Sequence, residues 1–320
     1  MKEKIEFEQL FLITTYRCNL NCIHCAFSSN SGCSKIVNDE VIFKAIDSAD
    51  KIGFNTIDFS GGEPSIYTNF PSIVDYSLTK NFKTISIASN LSNIANNGYF
   101  KIYNQSQKNK ERLYFRISID GHTSSSHDRI RGLGTFEKLM NNINVLISHG
   151  IQPHTANTIL HRENISFLQP IVKLIKQLGF SNHNWLSIFP FGRGKTIQNM
   201  QLTREQWLNE LSIKSQNYKN KFGLDISLLG PVLSNCSIKT IKEFDNLKIR
   251  PKTAIVITPN GDIFPECFKI FFRRKPYGNI LKVPLQDVLP KIEAFYFKLL
   301  KSCRFCDFRY ICFGQSEKQD

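Results

Sequence analysis

Short apolar segments alternate with amphipathic segments from residue 10 to about residue 190. The segments between the apolar ones have helical periodicity; one of them begins at Asn38 or Asp39, which can cap a helix, and stops at Gly53. Strands that alternate with helices form a parallel sheet with right-handed crossovers. The six apolar segments predict the strands of a partial (β/α)6 TIM-like barrel, with its chemistry at the carboxyl ends of the strands; they are 10–14, 56–60, 84–89, 114–119, 153–160 and 186–190.

The alternation fades after residue 195, and the rest of the chain is predicted to form a smaller domain. Its expected elements are a helix over 203–221, a β-hairpin in "AIVITPNGDIFPEC" with its turn at 259–262, and a helix near 285–301. We therefore divide the chain into a barrel at 1–195, a helical connection at 196–229 and a C-terminal domain at 230–320.

Composition limits the classes of protein that the chain can belong to. The 320 residues are 41% hydrophobic and 21% charged, as in soluble globular proteins. No apolar run is long enough to cross a membrane and no signal-peptide pattern is present, so we expect a cytoplasmic location without a membrane partner. The net charge of +14 would suit a nucleic acid. Because no nucleic-acid-binding signature is visible and the chain is rich in Asn, Ile and Lys, a nucleic-acid partner is not expected.

Nine cysteines suggest metal or redox chemistry, since disulfides do not persist in the cytoplasm. They fall into an early group, Cys18, Cys22, Cys25 and Cys33, and a late group, Cys236, Cys267, Cys303, Cys306 and Cys312. The stretch "CNLNCIHC" follows the first predicted strand, at the active end of the barrel. Three thiolates can hold three irons of a [4Fe–4S] cluster and leave the fourth iron open to another ligand.

This cysteine spacing resembles the signature of the radical S-adenosylmethionine superfamily. Further segments match the family in the same order along the barrel: "SGGEP" at 60–64, "SNL" at 89–91, "ISIDG" at 117–121, "HDRIRG" at 127–132 and "FPFGRG" at 189–194. The resemblance implies that Cys18, Cys22 and Cys25 bind a catalytic [4Fe–4S] cluster.

The resemblance also implies which residues contact S-adenosylmethionine. His24 takes the position of an aromatic residue near the adenine, Phe189 borders the adenine, and Arg129 or Arg131 meets the carboxylate. The glycine-rich turn would contact the methionine amino group, because glycines let a backbone approach a ligand closely. The remaining implied contacts come from that turn and the following strand ends: Gly61, Gly62, Glu63, Pro64, Ser89, Asn90, Ser118 and Asp120.

The implied reaction is reductive cleavage of S-adenosylmethionine to a 5′-deoxyadenosyl radical, which abstracts a hydrogen atom. The segments "SIDG" and "HDRIRG" resemble the branch that modifies ribosomally synthesised precursor peptides by crosslinking, epimerisation or oxidation. A precursor peptide and a reducing donor such as flavodoxin or ferredoxin are the expected partners. The alternatives are a small-molecule dehydrogenase of the sugar or aminoglycoside type and a zinc-containing nucleic-acid-binding protein.

The late cysteines resemble the SPASM domain and its shorter relative, the twitch domain, which bind auxiliary iron–sulfur clusters. Four of Cys236, Cys267, Cys303, Cys306 and Cys312 would hold one such cluster; a structural zinc site has the same ligand chemistry. Cys33 and Cys312 are also candidate hydrogen-atom donors to a substrate radical. The alternative for Cys33 is a buried or incidental cysteine.

Overall fold

The chain folds as a mixed α/β structure in which strands and helices alternate. The computed structural model describes residues 7–33, 38–93, 101–102, 104–105, 108–109, 111–151, 153–203, 205–229, 253–265 and 275–302. The strands are β1 (Phe7–Thr15), β2 (Thr56–Gly61), β3 (Thr84–Ser89), β4 (Leu113–Ser118), β5 (Thr155–Leu160), β6 (Asn182–Ser187), β7 (Asp225–Leu229), β8 (Thr253–Ile257), β9 (Asp262–Phe264) and β10 (Gly278–Asn279). The α-helices are α1 (Asp39–Ile52), α2 (Phe70–Leu78), α3 (Ser124–Arg131), α4 (Thr135–Ser148), α5 (Leu168–Gln177), α6 (Ser212–Phe222) and α7 (Leu285–Ser302).

The described strands form one sheet in the order β10-β9-β8-β1-β2-β3-β4-β5-β6-β7. Strands β1 to β7 pair in parallel in chain order, and β8 pairs in parallel with the other edge of β1. Strands β9 and β10 continue the sheet in antiparallel pairs. Strands are present in all six predicted β/α units, and their parallel order confirms the partial barrel.

Helices cover the outer face of this sheet with apolar side chains. Helix α1 begins as predicted, with the Asn38 side chain accepting a hydrogen bond from the Glu40 amide, and ends at Gly53 with a φ of +92°. Burying a side chain such as Ile or Val stabilises the fold by about 1.5–3 kcal/mol. The face that α1 buries consists of Val41, Ile42, Ala45, Ile46 and Ala49.

The inner face of the sheet carries polar side chains below the carboxyl ends of the strands. Asp58 on β2 is buried, accepts a hydrogen bond from Gln9 and pairs with Arg116 on β4 at 3.1 Å. Asn184 on β6 donates to Asn157 on β5 over 2.9 Å. Because successive strand residues point to opposite faces, these polar groups share a face with the residues that line the site described below.

Two features of the sheet differ from the sequence prediction. The sixth strand occupies Asn182–Ser187 rather than 186–190, because its alternate Asn residues face the polar interior and break the apolar run. The sheet also continues beyond the six predicted strands, since β7 lies in the segment assigned to a helical connection and β8 lies in the C-terminal segment. The domain boundaries at 195 and 230 stay a prediction.

The C-terminal elements agree with the sequence pattern where the structure describes them. A π-helical turn at Gln206–Leu211 runs into α6, which ends at Gly223. The hairpin pairs β8 with β9, and Gly261 adopts a φ of +83° in its turn. Helix α7 matches the segment predicted near 285–301. Among the helices of the described residues, none is both long and apolar enough to cross a membrane.

Candidate active site

A cavity of about 250 Å³ lies at the carboxyl ends of the parallel strands. Its wall includes the last residues of several strands, such as Ser89 on β3, Ser118 on β4 and Ser187 on β6. The cysteine loop, which we define as residues 16–33 after β1, closes one side of the cavity. The structure brings these sequence-predicted residues to the wall of the cavity: Cys18, Cys22, His24, Cys25, Gly61, Gly62, Glu63, Ser89, Asn90, Ser118, Arg131 and Phe189.

The sulfur atoms of the cysteine loop receive hydrogen bonds from neighbouring N–H groups. The Leu20 amide and the Asn90 side chain donate to Cys18 Sγ over 3.4 and 3.7 Å, and the Ser29 amide donates to Cys25 Sγ over 3.4 Å. Such donors favour a sulfur that carries negative charge. Burial nevertheless raises the pKa of Cys18 to about 12, and the charge of Glu63 adds to the rise. Cys18 therefore needs a bound cation to ionise near neutral pH.

The three cysteines of the cavity match the number of ligands that a [4Fe–4S] cluster with one open iron takes from a protein. In the part of the chain that the structure describes, no three His, Cys, Asp or Glu side chains are gathered closely enough to hold one metal ion. The cysteine ligands of a [4Fe–4S] cluster each bind a different iron atom, so they lie around the cluster and do not converge on one point. All three cysteines line one cavity, so each thiol could bind a separate iron atom of such a cluster.

The glycine-rich turn after β2 holds the cysteine loop in place. Gly61 has a φ of +128°, and a Cβ atom there would lie 2.3 Å from the Thr15 carbonyl oxygen. A Cβ atom on Gly62 would lie 1.9 Å from the carbonyl oxygen of Arg17. The Gly62 and Glu63 amides donate to these same two carbonyls over 2.7 and 3.0 Å. The close approach that requires glycine is therefore an approach to the backbone that precedes Cys18.

Glu63 connects the same turn to the end of β3. Its buried carboxylate accepts hydrogen bonds from the Ser89 hydroxyl at 2.9 Å, the Asn90 amide at 2.8 Å and the Ser65 amide at 3.2 Å. Burial raises the pKa of Glu63, although these hydrogen bonds act in the opposite direction. Since the Asn90 side chain donates to Cys18 Sγ, Glu63 positions a group that contacts the cysteine loop. Pro64 begins the short 3-10 helix that follows and does not line the cavity.

Asp120 lies behind the cavity wall and holds Arg131. One carboxylate oxygen accepts from Arg131 Nε at 2.6 Å, and the other accepts from the Ile159 amide at 2.7 Å. Burial acts to raise the pKa of Asp120, but the Arg131 guanidinium, assisted by His24 and His127, lowers it to about 2. Asp120 was expected to contact the cofactor; in the structure it does not line the cavity and positions the arginine that does.

The two candidate arginines of "HDRIRG" have different surroundings. Arg131 is 8% exposed and lines the cavity with the three thiols, and its backbone oxygen accepts a hydrogen bond from Cys22 Sγ at 3.9 Å. The Arg129 side chain is 64% exposed, pairs with Glu163 at 2.6 Å and lines a separate cavity of about 400 Å³. Only Arg131 of these two is therefore placed to meet a carboxylate in the cysteine-lined cavity.

His24 presents a neutral ring to the cavity. Burial lowers the pKa of this imidazole to about 4, so it carries no charge near neutral pH. Its Nδ1 atom is buried and has no hydrogen-bond partner among the described residues. A neutral ring at this position can pack on an apolar face of a ligand. Phe189 lines the same cavity, so the structure gathers both residues that were predicted to border the adenine.

Arg193 is a site residue that the sequence analysis did not single out. Its guanidinium donates to the carbonyl oxygens of Cys22 and Ser29 over 2.8 and 2.7 Å, and its backbone amide donates to the carbonyl oxygen of Cys25 over 3.0 Å. From the segment "FPFGRG", the family resemblance points to Phe189 alone as a cofactor contact. The available signal was an arginine between two glycines, a pattern that permits close contact between backbones.

The remaining cysteines lie apart from the cavity or outside the described residues. Cys33 is half-buried, donates to the Ser28 carbonyl at 3.8 Å and does not line the cavity. The five late cysteines, Cys236, Cys267, Cys303, Cys306 and Cys312, lie outside the described residues. The auxiliary cluster ligands and the hydrogen-atom donors therefore stay predictions.

A parallel partial barrel with three thiols beside an arginine-lined cavity defines a class of iron–sulfur enzyme. The family model described as the Radical SAM superfamily matches residues 12–175, and the chain belongs to that superfamily. Residues 249–307 match a second model, SPASM, described as an iron–sulfur cluster-binding domain. The chain is thus an enzyme of that superfamily, whose cofactors are a [4Fe–4S] cluster and S-adenosylmethionine.

Two relatives each match part of the chain. The antilisterial bacteriocin subtilosin biosynthesis protein AlbA of Bacillus subtilis is 29% identical over 197 residues, which are 60% of this chain and 42% of AlbA. A probable GTP 3′,8-cyclase of Saccharolobus islandicus is 24% identical over 220 residues, 67% of this chain and 69% of the cyclase. The chain therefore matches less than half of AlbA.

Solved structures share the fold at low sequence identity. Streptococcus suis SuiB bound to S-adenosylmethionine has a TM-score of 0.74 and 16% identity, covering 96% of this chain and 72% of SuiB. The structure of anSMEcpe with bound AdoMet has a TM-score of 0.67 and 18% identity, covering 95% of this chain and 88% of anSMEcpe. At these sequence identities, the two similarities show a shared fold.

Proposed function

We propose that this radical S-adenosylmethionine enzyme modifies a ribosomally synthesised precursor peptide by crosslinking, epimerisation or oxidation. The observation that carries the proposal is the similarity to AlbA, a bacteriocin biosynthesis protein, over 197 residues. The SPASM match at residues 249–307 supports it, as does the shared fold with SuiB, which has also been solved bound to its precursor peptide SuiA.

The residues of the cavity account for how the chain would hold its cofactors. Cys18, Cys22 and Cys25 would ligate three irons, and Arg131, fixed by Asp120, would pair with the carboxylate of S-adenosylmethionine. When bound, the reduced cluster and S-adenosylmethionine supply a 5′-deoxyadenosyl radical that abstracts a hydrogen atom from an unactivated carbon.

Polar side chains at the strand ends and two ring-bearing side chains would together orient the bound S-adenosylmethionine. Ser89, Asn90 and Ser118 offer hydrogen-bonding groups along one side of the cavity. The neutral His24 ring and Phe189 offer surfaces on which a planar base can pack.

A second candidate is a small-molecule reaction. The similarity to probable GTP 3′,8-cyclases over 220 residues favours a nucleotide as its substrate, in place of the sugar or aminoglycoside considered from the sequence. In either case a donor such as flavodoxin or ferredoxin would supply the electron. The cytoplasmic location expected from the sequence stays a prediction.

Co-expression with candidate substrates tests the proposal. The chain would be expressed with each short open reading frame next to its gene, and the peptides would be analysed by mass spectrometry. Crosslinking or oxidation predicts a loss of two hydrogen atoms; epimerisation predicts deuterium incorporation from heavy water at unchanged connectivity. The control is the Cys18→Ala, Cys22→Ala, Cys25→Ala triple variant, which should leave every peptide unmodified. Conversion of GTP by the purified enzyme, with all peptides unmodified, would replace the peptide proposal with the nucleotide reaction.

A further inference from the structure

The segment after β6 crosses the cysteine loop and makes direct backbone contact with it. A 3-10 helical stretch, Gly192–Met200, begins five residues after β6 ends. Arg193 at its start bonds to three carbonyl oxygens of the loop, those of Cys22, Cys25 and Ser29, over 2.7–3.0 Å. These carbonyls belong to or follow two of the three predicted iron ligands. One residue from the far side of the barrel thus fixes both the middle and the end of the loop.

Glycines on both sides of Arg193 make this contact possible. Gly192 has a φ of +53°, and a Cβ atom there would lie 2.4 Å from the Ala26 carbonyl oxygen. A Cβ atom on Gly194 would lie 2.2 Å from the Phe189 carbonyl oxygen and 3.1 Å from that of His24. Backbone atoms cannot move aside as a flexible side chain can. The two segments are therefore in close contact, and the Cα atom of Arg193 has little freedom to shift.

The charge of Arg193 also suits its position beside the thiols. The guanidinium is half-buried, so its charge is screened less than that of a surface arginine. It donates to the backbone oxygen of Cys22, and Cys22 itself lines the cavity. A fixed positive charge there favours thiolates and the negatively charged cluster that they would bind.

We propose that Arg193 is a positioning residue that holds the cysteine loop in its cluster-binding conformation and slows the loss of the catalytic cluster. The three hydrogen bonds fix the backbone at Cys22, Cys25 and Ser29, and this restraint would hold the thiols in position for the cluster. The proposal rests on membership of the radical S-adenosylmethionine superfamily and not on a peptide substrate.

Arg112 provides a matched control at the opposite end of the barrel. It precedes β4 and donates to three carbonyl oxygens at the end of α2 and in the segment that follows it, those of Leu78, Lys80 and Phe82, over 2.7–3.3 Å. Its guanidinium donates to three backbone carbonyls where that of Arg193 donates to two, and it lies at the amino ends of the strands. Loss of Arg112 should lower general stability and leave the cysteine loop intact.

The test compares cluster retention in the full-length holoenzyme and its Arg193→Met, Arg193→Lys and Arg112→Met variants. Each protein is reconstituted anaerobically, and transfer of iron to a ferrous chelator is followed by absorbance. Arg193→Met should lose the catalytic cluster about tenfold faster than the unaltered chain. Arg193→Lys, which keeps the charge but cannot span the carbonyls, should show an intermediate rate. Arg112→Met should match the unaltered chain.

Electron paramagnetic resonance identifies which cluster is lost, because S-adenosylmethionine perturbs only a cluster with an open iron. The Arg193→Met and Arg193→Lys variants should lose this S-adenosylmethionine-dependent signal first. Equal rates for Arg193→Met and the unaltered chain would overturn the proposal, and so would equal acceleration by Arg193→Met and Arg112→Met. If Arg193→Met does not fold, an unchanged rate in folded Arg193→Lys overturns it. Because none of these measurements uses a peptide, an unmodified peptide in the earlier experiment would leave this proposal standing.

Discussion

Asp120 and Arg131 form a buried ion pair across 2.6 Å, with Asp120 fully buried and Arg131 at the wall of the cysteine-lined cavity. The pair joins the end of β4 to the end of α3, and the Ile159 amide occupies the second carboxylate oxygen. Arg131 is therefore held in place before a ligand arrives. Binding a carboxylate in this geometry requires little further ordering of the side chain.

Breaking this pair should impair both stability and cofactor binding. In Asp120→Asn the buried guanidinium loses its counter-charge, so the free energy of unfolding should fall by about 3–5 kcal/mol. Affinity for S-adenosylmethionine should fall as well, because Arg131 loses its fixed position. Anaerobic urea denaturation and calorimetric titration measure the two effects. As a control, Glu163→Gln removes the exposed partner of Arg129 and should change stability by less than about 1 kcal/mol. Unchanged affinity in Asp120→Asn would contradict the role given to Arg131.

His183 should make stability fall as the pH drops below neutral. Burial lowers its pKa to about 3, although the charge of Asp120 acts to raise it, and the ring bonds to Trp185 Nε1 and to the Thr158 hydroxyl. Between this value and the ordinary pKa near 6.5, the unfolded chain binds a proton that the folded chain excludes. The stability contributed by the neutral ring is therefore complete above about pH 7 and is lost as the pH falls through 6 and 5.

Urea denaturation at pH 7, 6 and 5 checks this contribution. The His183→Gln variant should show a pH dependence weaker by up to about 1.4 kcal/mol per pH unit, the value for one proton. Its stability at pH 7 should be lower than that of the unaltered chain, since glutamine reproduces only part of the hydrogen bonding. An identical slope in both proteins would mean that another group causes the acid sensitivity.

Gly62→Ala should disturb the cysteine loop through the backbone. Its Cβ atom would lie 1.9 Å from the Arg17 carbonyl oxygen, so the turn and the loop before Cys18 must separate. We expect less iron per chain after reconstitution, measured by metal analysis. Gly53→Ala is the control: its φ of +92° is strained for alanine at a cost of about 1 kcal/mol, but no atom lies within 4 Å of the new methyl group. Equal iron content in the two variants would exclude this function of Gly62.

Metal analysis also tests whether the late cysteines bind an auxiliary iron–sulfur cluster. If the late cysteines hold one, the anaerobically purified chain should contain about eight irons, and Cys303→Ala with Cys306→Ala should reduce this to about four. About four irons before and after the substitutions would eliminate the auxiliary cluster. One zinc per chain that disappears with these cysteines would establish the structural zinc alternative.

The order of strands and the place of the cysteine loop could be read from the sequence, because both depend on local patterns. The sequence pattern places strand β6 at 186–190, a few residues too late, because Asn184 and its polar neighbours interrupt the apolar run. Strand β7 was missed because it is a short edge strand after a long helix. Its pairing with β6 is a tertiary contact.

The site shows the same division between local and long-range information. The thiols and the glycine-rich turn were identified by spacing, whereas the separate roles of Asp120 and Arg131 depend on burial. Arg193 lies 171 residues from Cys22 in the chain, and only the folded barrel brings its guanidinium to that carbonyl. Contacts of this range leave no periodic signal in a single sequence.

The most direct test of the account is the formation of 5′-deoxyadenosine. The anaerobically reconstituted chain would be reduced with dithionite in the presence of S-adenosylmethionine, and the products would be separated by liquid chromatography. The account predicts 5′-deoxyadenosine and methionine in equal amounts, and neither product from the Cys25→Ala variant. A fully loaded, reduced enzyme that leaves S-adenosylmethionine intact, or a Cys25→Ala variant that still cleaves it, would contradict the assignment of the catalytic site.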